Sequence, residues 1–131
     1  MKNDVQLTFV FDIDGTICPI KQADQKYNDL IPFPDIVEKI REYKNQGAKI
    51  ILYSSRNMNT YKGNLGLINV HTAPVLISWL EKWDIPYDEI IFGKPWPGHY
   101  GFYVDDRTVR PKEFLSMSTE ELEKLCMKDR L

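Results

Sequence analysis

Aspartate side chains at two closely spaced positions form a pattern that is suited to phosphoryl transfer. Asp12 and Asp14 follow an apolar run and are separated by one isoleucine, and strand alternation would place both carboxylates on one side of the chain. A phosphate monoester resists attack because its oxygens are anionic, so an attacking carboxylate needs a metal ion and cationic donors nearby. One carboxylate could then attack phosphorus while the other handles the proton.

Further polar residues follow three more short apolar runs. Ser54 ends the second run, Lys94 lies just after the third, and Asp105 and Asp106 come directly after the fourth. The ligand site of a parallel α/β sheet lies outside the carboxyl ends of its strands, so these side chains are expected to converge with the two aspartates. Carboxylate and water oxygens are the ligands that Mg²⁺ prefers, so the pattern predicts a magnesium site.

The elements that must position these residues alternate between strand and helix. Residues 7–11 and 48–53 are rich in β-branched and aromatic residues, which is typical of buried strands. Residues 36–46 carry apolar side chains at helical spacing, with Asp35 as the predicted cap and Gly47 as the predicted stop. Two strands joined by a helix of this length indicate a parallel crossover.

The same alternation continues in the second half of the chain. A loop over 57–70 is predicted to precede a helix over 71–84, and strands are predicted over 90–92 and 101–104. Residues 118–125 predict a closing helix with a capping box at its start. The sequence therefore predicts an α/β fold, with a Rossmann-like parallel sheet and helices on both faces.

Composition narrows the class of protein. The 131 residues fit one domain, 1–131, and the 43% hydrophobic and 27% charged composition is that of a globular protein. The net charge of −2, with no basic block, argues against a large nucleic-acid footprint. No run suits a membrane helix or a secretion signal, so a cytoplasmic location is expected, with Cys18 and Cys126 as free thiols.

At these motifs the sequence resembles the haloacid dehalogenase (HAD) superfamily of phosphatases. The match consists of Asp-Ile-Asp-Gly-Thr at 12–16, a hydroxyl residue after the second strand, a lysine after the third and a pair of aspartates after the fourth. By this resemblance Asp12 is the nucleophile and Asp14 the general acid that becomes a general base. Ser54 would bind a phosphate oxygen, and Lys94 would steady the nucleophile and the phosphoryl group.

The resemblance also implies a magnesium site. Mg²⁺ would be held by Asp12, by the backbone carbonyl of Asp14, and by Asp105 or Asp106. Asp106 is the preferred direct ligand of the last two, because members that end in Asp-Asp-Arg use the second carboxylate.

Residues beside the motifs are candidates for substrate binding. Arg56 and Asn57 could bind substrate hydroxyls or phosphate oxygens, or could instead pair with loop carbonyls. Trp96 lies between two prolines after the lysine motif and could stack on a sugar or shape its loop. Amides at Gly15 are expected to face the phosphate. The predicted substrate-binding residues are Gly15, Ser55, Arg56, Asn57 and Trp96.

More narrowly, the segments 53–58, 90–97 and 101–107 look like those of small phosphatases encoded with bacterial capsule and surface-polysaccharide genes. The gaps between motifs hold no cap domain, so the resemblance implies a capless enzyme. An open site favours a homo-oligomer whose protomers cover one another's sites. The leading interpretation is hydrolysis of a small sugar or polyol phosphate. The alternatives are a phosphatase for a macromolecular end, either a polynucleotide 3′-phosphate or a phosphoprotein, and a non-catalytic binding module.

Overall fold

The structure, a computed structural model, describes residues 6–131. These residues fall into two compact units, which divide between Trp96 and Pro97. A single domain over 1–131 stays a prediction. Within the described residues, no helix has the length and apolar character needed to cross a membrane.

The unit that ends at Trp96 is an α/β structure with a parallel sheet flanked by helices, as predicted. A short 3₁₀ helix, Tyr27–Asp29, lies in the loop between the first strand and the first helix. No additional domain is inserted between the strands of this described unit. The other elements, in chain order, are β1 (Thr8–Phe11), α1 (Pro34–Asn45), β2 (Lys49–Ser54), α2 (Leu65–His71), α3 (Ala73–Lys82) and β3 (Glu89–Phe92).

Parallel pairing aligns the carboxyl ends of the three strands, which run in the order β1, β2, β3. Phe11, the last residue of β1, pairs with Leu52. Ser54, the last residue of β2, pairs with Phe92, the last residue of β3. The segments that leave β1, β2 and β3 therefore emerge at one edge of the sheet, where the sequence predicts the site.

One face of the sheet forms the core of this unit. Phe11, Ile50 and Leu52 are buried on it, and Phe9 packs against Tyr43 of α1 with ring centroids 4.7 Å apart. On the opposite face Val10 is 59% exposed and Ile91 is 45% exposed. The sheet is therefore anchored through the face that bears the phenylalanines, where burial of apolar area supplies the driving force.

Helix α1 begins earlier than the sequence predicts, so the cap predicted at Asp35 is wrong: the helix starts at Pro34, and Phe33 occupies the cap position. Pro34 occupies its first turn, where a missing amide hydrogen costs nothing. The Asp35 carboxylate accepts a hydrogen bond from the Ile36 amide at 2.9 Å. Gly47 has φ +95° just past the last turn, which a residue with a side chain rarely adopts. The predicted stop at Gly47 is confirmed.

The predicted loop over 57–70 is wrong in its second half. Residues Leu65–His71 form α2, and the Asn64 side chain caps it by accepting from the Leu67 amide at 3.2 Å. The helix predicted to begin at residue 71 begins instead at Ala73. Glycine at position 66 and the short length of α2 hid its helical period, while the cap on Asn64 supplies local stability.

The unit over residues 97–131 contains α4 (Pro111–Ser116) and α5 (Thr119–Asp129). The capping box of α5 is confirmed: the Ser118 hydroxyl accepts from the Glu121 amide, and the Glu121 carboxylate accepts from the Ser118 amide. The predicted strand over 101–104 is wrong, since these described residues form no strand ladder. Its Phe102 and Val104 side chains are 87% and 97% exposed, and β-propensity makes a strand only where a partner pairs with it.

Trp79 and Trp83 provide a matched test of the core of the first unit. The buried Trp79 indole donates to the Leu30 carbonyl at 2.7 Å, which ties α3 to the loop before α1. Replacement by phenylalanine leaves that carbonyl without its donor, so Trp79→Phe should lower the free energy of unfolding by about 1–3 kcal/mol in urea titrations. Trp83→Phe should cost less, because the Trp83 Nε1 has no hydrogen-bond partner among the described residues. An equal loss in both variants would contradict this assignment.

Candidate active site

A tight turn after β1 sets the direction of the Asp14 side chain. The Ile13 carbonyl accepts from the amides of Thr16, Ile17 and Cys18 at 3.1, 2.8 and 3.3 Å. Gly15 has φ +87°, and its amide donates to the Cys18 carbonyl at 2.7 Å. The Gly15 amide is thus engaged within the turn rather than free to face a phosphate, and a substrate-binding role for Gly15 stays a prediction.

Asp12 lies against the lysine that follows β3. The Lys94 Nζ is 3.5 Å from the Asp12 Oδ1, and both side chains are half-buried. The Lys94 amide donates to the Ser54 carbonyl at 3.1 Å, which holds the lysine beside the end of β2. The Thr16 hydroxyl donates to the other Asp12 oxygen at 3.4 Å. Predicted positions from two separate strand ends are therefore together in this unit.

The environment of Asp12 opposes its ionisation. Burial raises the pKa of the Asp12 carboxyl above its ordinary value, and the Lys94 ammonium partly offsets this effect. The neighbouring Asp14 carboxylate adds a smaller rise. An ionised Asp12 is thus partly desolvated and has a cation beside it, an arrangement that could support attack by the carboxylate on an electrophile.

Asp14 is bound by a different cation. The Arg56 guanidinium donates from Nη2 to the Asp14 Oδ1 at 2.8 Å and from Nε to the Oδ2 at 3.1 Å. The Arg56 side chain is 1% exposed and that of Asp14 is 24% exposed. The sequence predicts that Arg56 binds substrate or pairs with loop carbonyls; the structure shows a bidentate contact with the second aspartate, and substrate binding by Arg56 stays a prediction.

The remaining residues after β2 are engaged in local contacts. Ser54 is buried, and its hydroxyl accepts from the Arg56 amide at 3.0 Å. The Asn57 carbonyl oxygen accepts from the Thr72 hydroxyl at 2.7 Å, and its amide donates to the Thr60 hydroxyl at 3.3 Å. Both ends of the Asn57 side chain are therefore used to fix the loop, and a direct role in substrate binding stays a prediction.

Ser55 and Trp96 also remain predicted substrate-binding residues. Ser55 is half-buried beside Arg56, and its carbonyl accepts from the Met58 amide at 3.0 Å. Trp96 is 39% exposed, so part of its indole is open to solvent.

Asp105 and Asp106 belong to the other unit and are described within it. The Asp105 Oδ1 accepts from the Arg107 amide at 3.0 Å. The Asp106 carboxylate pairs with Arg130, whose hydrogen bond lowers the pKa of Asp106. No group of three or more potential metal-ligating side chains occurs among residues 6–131. The magnesium set of Asp12, Asp14, Asp105 and Asp106 therefore stays a prediction.

Two residues near Asp14 were missed by the sequence interpretation. The Tyr27 ring lies 4.0 Å from the centre of the Arg56 guanidinium. The Cys18 thiol, a free thiol as predicted, is 3.6 Å from the Asp14 Oδ1, and burial raises its pKa to about 12. The only signal for Tyr27 was an aromatic residue within a long polar loop, and the signal for Cys18 was its position four residues after Asp14.

Comparison with solved structures identifies a close relative. A crystallised protein from Vibrio cholerae is 46% identical in sequence, and the match covers 95% of this chain and 100% of that chain with a TM-score of 0.89. The chain belongs to the same family as this Vibrio cholerae protein. Scans against protein-family models and curated proteins gave no match.

A more distant match shares the fold. A chain of the Pnkp1/Rnl/Hen1 complex is 20% identical, with a TM-score of 0.50. The match covers 88% of the present chain but only 36% of that chain, so the present chain corresponds to about a third of it. At this level of identity the likeness shows a common fold and nothing about activity.

Replacement of Asp12 should increase stability in the absence of metal. A raised carboxyl pKa means that ionisation of Asp12 costs folding free energy; the cost is fully present above the folded pKa and absent below the unfolded value near 3.8. Asp12→Asn should therefore raise the melting temperature of chelator-treated protein at pH 7, and the gain should shrink as the pH falls towards 4. Asp24→Asn removes the same charge from an exposed loop residue and should not reproduce the gain. A lower melting temperature for Asp12→Asn at pH 7 would contradict the assignment.

Proposed function

We propose that the protein is a HAD-type phosphatase that hydrolyses a phosphate monoester through a phosphoryl-aspartate on Asp12. The observation that carries the proposal is that Asp12 and Asp14, separated by one residue, pair with two different cations. Asp12 lies 3.5 Å from Lys94, and Asp14 is clamped by Arg56. Together with the motif Asp-Ile-Asp-Gly-Thr, this division suits one carboxylate to attack phosphorus and the other to move a proton.

The reaction follows from the residues in two steps. An Asp12 oxygen attacks phosphorus, the ester P–O bond breaks, and the leaving oxygen takes a proton from Asp14. Water then attacks the phosphoryl-aspartate, Asp14 accepts a proton from that water, and inorganic phosphate leaves as Asp12 is regenerated. Lys94 offsets negative charge beside Asp12 in both steps, and Ser54 donates its hydroxyl proton to a phosphate oxygen.

Magnesium is part of the proposal, and the oxygen donors near Asp12 would supply part of its coordination. The Asp12 carboxylate and the Asp14 backbone carbonyl are hard oxygen donors of the kind that Mg²⁺ prefers. Asp106, or alternatively Asp105, would complete the set. The bound ion would supply charge neutralisation on the phosphoryl oxygens.

A small sugar or polyol phosphate, of the kind used in capsule or surface-polysaccharide synthesis, is the proposed substrate. The net charge of −2 supports a small ester over a polynucleotide end, because backbone binding needs clustered cations. A phosphorylated macromolecular end and a non-catalytic binding role are the competing functions. We also propose a homo-oligomer in which each protomer covers the open site of its neighbour.

Phosphate release from a panel of esters tests the activity directly. The panel contains sugar phosphates, polyol phosphates, nucleotides, a phosphopeptide and a 3′-phosphorylated oligonucleotide. Small esters should be preferred, and Asp12→Asn should abolish turnover because the nucleophile is lost. Asp14→Asn should lower kcat for alkyl esters by about 10²-fold or more, the usual contribution of a general acid. Activity on the oligonucleotide or phosphopeptide alone would favour a macromolecular substrate, and no turnover on any ester would favour the binding module.

Metal dependence provides a second test with a readout other than activity. Chelation should abolish turnover and added Mg²⁺ should restore it. Mg²⁺ should also raise the melting temperature of the wild type, because a ligand that binds only the folded state stabilises it. This rise should disappear in Asp12→Asn and shrink more in Asp106→Asn than in Asp105→Asn. Turnover that survives chelation would remove magnesium from the proposal.

A further inference from the structure

Three donors hold the Asp14 carboxylate from both of its oxygens. The Oδ1 accepts from Arg56 Nη2 at 2.8 Å and from the Cys18 thiol at 3.6 Å, while the Oδ2 accepts from Arg56 Nε at 3.1 Å. A carboxylate offers about four lone-pair sites, so about one remains, and it lies on Oδ2. The 24% exposure of the Asp14 side chain keeps the group accessible to a ligand.

Arg56 is itself held in place from outside this carboxylate. Its guanidinium lies 4.0 Å from the centre of the Tyr27 ring, the geometry of a cation–π contact. The backbone amide of Arg56 donates to the Ser54 hydroxyl at 3.0 Å, which fixes the start of the side chain beside the end of β2. Burial also raises the pKa of Tyr27, so its ring stays neutral over the guanidinium.

The orientation of Arg56 carries a cost that packing alone does not explain. Its Nη1 is buried and has no hydrogen-bond partner among the described residues. A buried donor without a partner is unfavourable, so the other contacts of the guanidinium must hold it in this orientation.

We propose that Tyr27 and Arg56 form a positioning pair that aims the Oδ2 of Asp14 at the leaving-group oxygen of the substrate. Arg56 fixes the plane of the carboxylate, and Tyr27 fixes the plane of the guanidinium. This role rests on the proposed phosphatase function. In this proposal, the long loop between β1 and α1 serves to place the Tyr27 ring against the Arg56 guanidinium. Neither residue touches the reacting phosphorus, so both act through Asp14.

Two substrates that differ in leaving group separate this role from a general structural one. An aryl ester such as p-nitrophenyl phosphate needs little help from a general acid, whereas an alkyl phosphate depends on it. Because a general acid contributes about 10²–10⁴-fold, Arg56→Lys should lower kcat/KM by about tenfold or more for the alkyl ester and by less than about threefold for the aryl ester. Arg41→Lys is the matched control, since Arg41 donates to the carbonyls of Trp83 and Asp84, and both activities should be unchanged.

The Tyr27 variants keep the test decisive if Arg56 variants fail to fold. Tyr27→Phe retains the ring and should retain the wild-type ratio of alkyl to aryl activity, whereas Tyr27→Leu should lower that ratio. In an Asp14→Asn background, Tyr27→Leu and Arg56→Lys should have little further effect, because the group they position is gone.

The outcomes distinguish this role from the phosphatase assignment. The positioning role would be overturned if Arg56→Lys and Tyr27→Leu lowered activity equally on both esters, or if their losses multiplied with that of Asp14→Asn. The phosphatase assignment would still stand if the wild type turned over an ester and Asp12→Asn did not. A wild type without turnover would overturn both.

Discussion

Parallel pairing in fixed register is the constraint on which the candidate site depends. Phe11 pairs with Leu52 and Ser54 pairs with Phe92, so the chain leaves all three strands at one edge of the sheet. A shift of one residue in either pairing would turn the buried face outward and separate the polar residues that follow. The contact between Lys94 and Asp12 is a consequence of this register, reinforced by the hydrogen bond from the Lys94 amide to the Ser54 carbonyl.

The connections that leave the strands do different work. After β1 the chain turns tightly around the Ile13 carbonyl and then runs through a long loop that returns to the core, where the Trp79 indole binds the Leu30 carbonyl. After β2, Arg56 reaches the Asp14 carboxylate with its guanidinium. The next residue, Asn57, has φ +62° and is fixed by two side-chain hydrogen bonds. The tight turn fixes the backbone around Ile13, the long loop contributes the Tyr27 ring, and the segment after β2 contributes the buried Arg56 guanidinium.

Sequence patterns predicted the strands β1 to β3, the helices α1, α3 and α5, and the parallel sheet, because apolar period and capping residues act locally. They missed α2 and α4, whose seven and six residues are too short to display a period, and they gave residues 101–104 a strand that needs a partner to exist. The meeting of Lys94 with Asp12 could be predicted from strand ends. The contact of Arg56 with Asp14 joins residues 42 positions apart, and its partner Tyr27 lies in a loop whose path has no sequence rule. Local patterns place elements, whereas side-chain partners depend on packing.

Asp12 and Asp14 illustrate how two identical side chains can have different environments. Asp12 lies 3.5 Å from Lys94, accepts weakly from the Thr16 hydroxyl and has a hydrogen bond with the Ile13 backbone, while burial raises its pKa, so its ionised form is partly desolvated. Asp14 has a bidentate arginine and a thiol, so its orientation is fixed from both oxygens. In the proposed reaction the Asp12 nucleophile would gain from burial, because bond formation removes the cost of a poorly solvated charge, whereas the Asp14 proton donor would gain from a fixed direction. The motif contains two chemically identical carboxylates. Lys94, from the segment after β3, and Arg56, from the segment after β2, give them different environments.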